Sequence, residues 1–253
     1  MATPLRIKRS AVPGKVPAVQ DLQLGELALN TYDAELYTLR YRPGIGTTEV
    51  VKIGGAQVEN VLYVNKDGDD GNTGGTAADA KLTIKGAVGV ATDGTVIKVA
   101  AGTYVEDNPV KVPKQISIVG DTLREVTISP LNADKDIFHV SPGDMFSELT
   151  FSGTVDAGKS VIAFDPDKIQ YVDQSPYVRF CTNRVANSIG MKVDGSKSVG
   201  PFKSMVTDSY TQYNVNGIGV SVSNEGYAQI VSMFTMNLDA AITCHSGGQC
   251  DVT

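Results

Sequence analysis

The sequence predicts an all-β fold made of many short strands, and three observations carry that prediction. Valine occurs 31 times against 13 leucines, with 21 threonines, in 253 residues. β-Branched side chains suit a pleated, half-buried surface, whereas helical proteins favour leucine. Second, 26 glycines and 11 prolines, about one residue in seven, punctuate the chain at short intervals. Third, runs of three or four residues alternate inward apolar with outward polar positions along most of the chain. At 42% hydrophobic and 20% charged residues the chain is too apolar and too weakly charged to be disordered. Its length suits one large domain or two modest ones.

Two textures meet near residue 60. Residues 1–20 hold Arg6, Lys8, Arg9 and Lys15 and no acid, a charge of +4 in a chain whose total is −6. Pro13 and Pro17 stiffen this stretch into an extended basic arm suited to an acidic partner. Residues 22–41 follow, with leucines on either side of Asn30-Thr31-Tyr32-Asp33, a pattern that predicts two strands around a turn. Pro43-Gly44-Ile45-Gly46 breaks the second of these, and Val50-Val51-Lys52-Ile53 starts a third. Gly25, Leu27, Leu29 and Tyr37 are the residues expected to hold this module together. A module of this size buries little surface by itself and is expected to lean on an oligomer or a larger surface.

From Val61 the rhythm changes. Leu62-Tyr63-Val64 reads as a strand and residues 66–80 as a polar loop. Ile84, Ala87, Val88 and Ala91 then recur at i, i+3, i+4 and i+7, which predicts a short amphipathic helix over 83–92, ended by Asp93-Gly94. Short β runs follow around residues 96–99, 110–112, 116–119, 126–128, 138–140, 149–151, 161–164, 177–180, 190–193, 219–222, 228–231 and 241–244. A repeat of about 20–30 residues between equivalent strands, with Gly, Asp, Asn and Pro corners, is the texture of a β-solenoid. A solenoid exposes its core at each end, and the helix at 83–92 stands where a cap is needed. A sandwich with longer strands and Asp-Gly hairpins is the competing architecture; Asp93-Gly94 and Asp194-Gly195 fit it.

Two stretches carry a family resemblance. QLGELALNTYDAELYT at residues 23–38, preceded by PGKVPAVQDL, resembles the N-terminal module of tail-fibre and other adhesion proteins of tailed bacteriophages. Residues 62–121, with Gly102-Thr103-Tyr104 and the Ile116-to-Gly120 "I-x-I-x-G" run as recurring turns and rungs, resemble the opening coils of right-handed parallel β-helices of the pectate-lyase-like class. The resemblance implies an N-terminal particle-attachment and trimerisation module over 1–60 and a right-handed parallel β-helix stalk over 61–253, incomplete at its C-terminus. It implies a homotrimeric tail fibre or tailspike, made in a host cytoplasm and assembled into the virion tail. Residues 1–60 would contact other tail or baseplate proteins, with Arg6, Lys8, Arg9, Pro13, Lys15 and Pro17 as the docking set. A depolymerase cleaving host surface polysaccharide, or a glycan-binding adhesin without chemistry, are the alternatives, because this fold class hosts both.

The chemistry-bearing residues are sparse. A net charge of −6 argues against general nucleic-acid binding. Glycan hydrolysis needs two carboxyl groups about 5–10 Å apart, and Asp134/Asp136 and Asp165/Asp167 are candidate pairs, though 28 acids make close pairs common by chance. The loop Asp67-Gly68-Asp69-Asp70-Gly71-Asn72 is as dense in oxygen donors as a calcium loop but has Ala78 where an EF-hand has its twelfth-position acid. Cys181, Cys244 and Cys250 make no disulfide framework, and with His139 and His245 they fall short of a recognisable zinc spacing. Sugar-stacking candidates are Tyr171, Tyr177, Tyr210, Tyr213 and Tyr227; packing is the commoner use of such residues. No catalytic residue, cofactor or metal is predicted, and no window resembles a signal peptide or a membrane helix.

Overall fold

A computed structural model describes residues 7–32, 34–42, 46–53 and 60–253, and the chain divides into two compact units, Met1–Glu59 and Asn60–Thr253. The second unit is a parallel β-solenoid of about six turns. Three long sheets run along it. Sheet 1 stacks Gly102–Glu106, Val126–Pro130, Thr150–Thr154, Thr182–Ala186, Thr211–Gln212 and Phe234–Thr235. Sheet 2 stacks Val110–Lys111, Phe138–Val140, Ser160–Phe164, Ile189–Asp194, Ile218–Ser223 and Ala240–Cys244. Sheet 3 starts with Val61–Val64 and continues through Val96–Val99, Ser117–Gly120, Met145–Ser147, Tyr177–Arg179, Ser204–Asp208 and Tyr227–Val231 to Gln249–Val252. Val61 pairs with Val96, Val96 with Ser117, Ser117 with Met145, Met145 with Tyr177 and Val206 with Gln229, so successive turns take between 21 and 35 residues.

Parallel pairing stacks equivalent residues of successive turns into columns, and the inward columns are the core. In sheet 3 the column is Ile97, Ile118, Phe146, Val178, Thr207 and Ile230, all buried. In sheet 2 it is Val110, Phe138, Ile162, Met191 and Val220, continued by half-buried Ile242. In sheet 1 it begins Tyr104, Ile128, Phe151 and then turns polar with Asn183 and Gln212. The three sheets meet where Phe138 sets its ring edge-on to Phe146 at 5.0 Å and to Phe151 at 6.1 Å.

The polar part of the sheet 1 column is wired together. Asn183 Nδ2 donates to Gln212 Oε1 and to Ser188 Oγ, each at 3.0 Å, and Asn183 Oδ1 accepts from the Val185 N–H at 2.9 Å. Asn214 Nδ2 donates to the Ser188 carbonyl at 2.7 Å and the Ile218 carbonyl at 3.1 Å. Such a ladder meets much of the hydrogen-bonding demand of amides that would be costly to bury alone. Gly190 makes room for it: a Cβ there would stand 2.1 Å from Gln212 Oε1.

The N-terminal end of the solenoid is closed as the sequence anticipates, but by a shorter helix. It spans Ile84–Val88 rather than 83–92. Thr83 caps it through Gly86 N–H, and Gly89 terminates it. Ile84, Ala87 and Val88 are buried and Ala91 packs beside them, so all four periodic positions face the core. The helix packs on the first strands of all three sheets. Two acids anchor its first turn. Glu106 accepts from Ile84 N–H at 2.8 Å and Lys85 N–H at 3.0 Å, and Asp70 accepts from Leu82 and Thr83 N–H. Burial raises the Glu106 carboxyl above its ordinary value, with these two hydrogen bonds opposing the rise. The loop before the helix covers the open edge of Val61–Val64, through Tyr63 N–H to Gly74 and Lys81 N–H to Tyr63. Gly102-Thr103-Tyr104, expected at a turn-and-rung junction, lies within the first strand of sheet 1.

The first unit is a four-stranded sheet in the order Lys8–Ser10, Leu27–Asn30, Glu35–Arg42, Thr47–Ile53. The last three strands are antiparallel neighbours, as the pattern predicts. The first is a correction to the basic arm: Lys8–Ser10 is an edge strand paired parallel to Leu27–Asn30.

Thr207 supplies a test of the column account. Its side chain is fully buried between Val178 and Ile230, and its hydroxyl has no hydrogen-bond partner. Thr207→Val keeps the shape and removes the orphaned hydroxyl, so it is expected to raise unfolding stability by about 1 kcal/mol in denaturant titration. A loss of stability would show that the hydroxyl is paired in the folded state.

Candidate functional site

In the N-terminal unit, strand alternation decides which residues line the surface. Ala28 and Asn30 turn to one side of Leu27–Asn30, while Leu27 and Leu29 are half-buried on the other. The buried cluster is Leu22, Ala28, Tyr37 and Leu39, with Val50 against it. Of the four residues expected to hold the module, Tyr37 lies in that cluster. Gly25 instead forms a turn, with φ +77° and its N–H donated to Leu39. The apolar alternation of Leu27 and Leu29 gave the period but not the phase; Leu22 and Leu39 were the signal for the buried side.

This sheet and the segment before it frame a groove of about 580 Å³, lined by Lys8, Arg9, Ser10, Lys15, Pro17, Gln20, Asp21, Leu22, Ala28, Leu29, Asn30 and Tyr37. Five of the six docking candidates are described: Lys8, Arg9, Lys15 and Pro17 line the groove, and Pro13 lies in the turn beside it. Arg6 lies outside the described residues. The turn is held by Asn30, whose Nδ2 donates to the Val12 carbonyl at 3.0 Å and the Lys15 carbonyl at 3.3 Å. Lys8 pairs with Glu26 at 3.1 Å and also donates to the Asp21 carbonyl. The Gln23 N–H and Lys8 hold the Glu26 carboxyl below its usual range. Among the described residues Arg9 and Lys15 have no ion-pair partner; they line the groove with Asp21, over the buried apolar side chains of Leu22, Ala28 and Tyr37.

The solenoid carries a second polar cluster on the outward face of sheet 2. The column there reads Lys111, His139, Ala163, Lys192. His139 stands between two carboxylates, Nε2 at 3.1 Å from Asp136 and Nδ1 at 3.7 Å from Asp165. Lys111 binds Asp165 at 2.9 Å. Burial raises the Asp136 carboxyl, but hydrogen bonds from His139 and the Ser160 N–H outweigh it and leave the group below its ordinary value. Asp165 behaves alike: burial is outweighed by Lys111 and the Asp167 N–H. Lys111 is raised, chiefly by its hydrogen bond to Asp165.

The structure therefore splits each acid pair that the sequence suggests. Asp136 and Asp165 enter the cluster; Asp134 and Asp167 are exposed outside it. The imidazole stands between the two carboxylates, and neither is held in the protonated form that a general acid requires. The carboxyl raised to about 8 is Asp144, by burial; its oxygens accept the Ile116 and Ser141 N–H groups at 3.0 and 2.7 Å, tying down the corner that follows Phe138–Val140. Its role was invisible in sequence, where Asp144 is one acid among many. In the 67–72 loop, Asp70 is spent on Leu82 and Thr83, and Asp69 accepts from Gly71 N–H at 2.7 Å. Among the described residues no group of three or more His, Cys, Asp or Glu side chains is arranged to hold a metal ion. Tyr210 is core, Tyr177 is half-buried, Tyr227 donates to Asp251 at 2.6 Å, and Tyr171 and Tyr213 are exposed. Among the described residues no helix is long and apolar enough to cross a membrane.

No protein-family model matches the chain, and no curated protein matches it. Among solved structures, ORF18 of Geobacillus virus E2 matches over 97% of this chain at 13% identity with a TM-score of 0.45. The chain spans about half of that protein, 52% of its length.

The sheet 2 cluster has a pH signature. Asp136 and Asp165 sit below their unfolded values, so their contribution is present above about pH 4 and is lost as pH falls through the folded values. Asp136→Asn is expected to cost about 1–3 kcal/mol near neutrality, and less once the pH has fallen through the folded value of Asp136, in denaturant titrations. An equal loss at both pH values would show that the charge of Asp136 contributes nothing.

Proposed function

We propose that this chain is a structural protein of a tailed-phage particle, docked through its N-terminal unit, with the solenoid as a stalk. The observation that carries the reading is the groove just described. It lies in the segment whose sequence resembles phage attachment modules, and it sets Arg9 and Lys15, without an ion-pair partner among the described residues, over the buried apolar side chains of Leu22, Ala28 and Tyr37. That chemistry suits an extended, acidic segment of another tail or baseplate protein. The solenoid supports a stalk role because each turn closes its backbone hydrogen bonds on its neighbours, giving a stiff column without disulfides. Host-receptor binding would then be carried further along.

A homotrimer is part of the proposal. Among its described residues the N-terminal unit buries four apolar side chains, while Val12, Val16, Leu24, Tyr32 and Tyr41 each remain more than half exposed. A sheet with so little core and so much uncovered apolar surface is marginal by itself and gains by packing against copies of itself.

Light scattering on the full chain is expected to give three times the 26.7 kDa chain mass; a stable monomer would contradict the assembly. The double variant Arg9→Glu/Lys15→Glu is expected to keep that solution mass while its amount in purified particles falls by about tenfold or more. Incorporation at the wild-type level would overturn the docking reading.

A further inference from the structure

We propose that Cys244 and Cys250 form a reversible intramolecular disulfide that staples the last turn of the solenoid. Their sulfurs already stand 3.7 Å apart, in van der Waals contact. In register, Cys244 stacks on Val222 and Cys250 on Ala228, both fully buried, so the two cysteines take the inward positions that flank the corner between sheets 2 and 3. That corner is tight. Ser246 and Gly247 have φ +51° and +78°, Gly248 N–H donates to the His245 carbonyl at 2.9 Å, and a Cβ on Gly248 would lie 2.4 Å from the Val222 carbonyl oxygen. The backbone thus holds the thiols together before any bond forms, and the entropy of bringing them together is already met by folding.

The two cysteines differ from the third in access. Cys244 is exposed and Cys250 half-buried, whereas Cys181 is fully buried, its thiol pushed up to about 12 by burial. The last turn leaves Phe234, Met236 and Val252 exposed, and Ala240–Cys244 and Gln249–Val252 are each paired along one edge, to the preceding turn. A bond from 244 to 250 ties Ala240–Cys244 of sheet 2 to Gln249–Val252 of sheet 3 and opposes their separation.

The chemistry needs a small-molecule disulfide such as oxidised glutathione. One protein thiolate attacks it, forming a mixed disulfide and releasing one small thiol; the second protein thiolate displaces the other. One S–S bond breaks and one protein S–S bond forms. The two protein sulfurs lose two electrons, the two small-molecule sulfurs gain them, and the two protons leave on the released thiols.

The test treats the purified full chain with oxidised glutathione and maps the product by mass spectrometry and amide hydrogen exchange. The expected product has lost two hydrogens, carries a 244–250 crosslinked peptide with Cys181 unmodified, and exchanges about tenfold more slowly over residues 240–253. Dithiothreitol should reverse both changes. Cys244→Ser and Cys250→Ser should each give a single glutathione adduct on the remaining partner and no added protection. Two separate adducts on the wild type, a bond between chains, or a 244–250 bond with unchanged exchange would each overturn the proposal.

Discussion

The structure depends on one constraint: parallel pairing between successive turns places equivalent residues directly above one another. Each inward position is then judged by its column, since a side chain must fit the one below and the one above. Ile97, Ile118, Phe146 and Val178 satisfy this with apolar volume. Asn183 and Gln212 satisfy it with an amide-to-amide hydrogen bond. The outward face obeys the same rule, so Lys111 and His139 stack as neighbours, with Asp165 against both and Asp136 on the other ring nitrogen of His139. The polar cluster is a product of register as much as of side-chain chemistry.

The first and last described turns are finished differently. At the first turn, a five-residue helix, two buried or capping acids and a loop along the edge of Val61–Val64 close the core. At the last described turn the column positions pass to half-buried Ile242 and Cys250 and to exposed Cys244, with Phe234 and Met236 exposed.

How much was legible in the sequence follows from the same constraint. Strands whose inward residues are apolar, such as Val96–Val99 and Phe138–Val140, stood out by alternation, and their repeat gave the solenoid. Thr182–Ala186, Ser204–Asp208 and Thr211–Gln212 did not, because Asn183, Thr207 and Gln212 occupy inward positions and erase the period-two signal. The helix announced itself by four apolar positions, yet its length was set by Gly89 and by Asp70 seated against Gly86, where a Cβ would meet the carboxylate at 2.2 Å. Lys8–Ser10 was hidden because an edge strand of two charges and a serine has no apolar face. Asp136 and His139 are three residues apart, but Asp165 meets His139 across 26 residues and Lys111 across 54, which no local spacing reveals.

A map of the intact particle whose genome encodes this chain tests the central claim most directly. The account predicts three copies around a threefold axis, with each groove of Lys8, Arg9, Lys15 and Tyr37 filled by an extended segment of a neighbouring particle protein. A purified, infectious particle whose map and peptide composition lack this chain would contradict it.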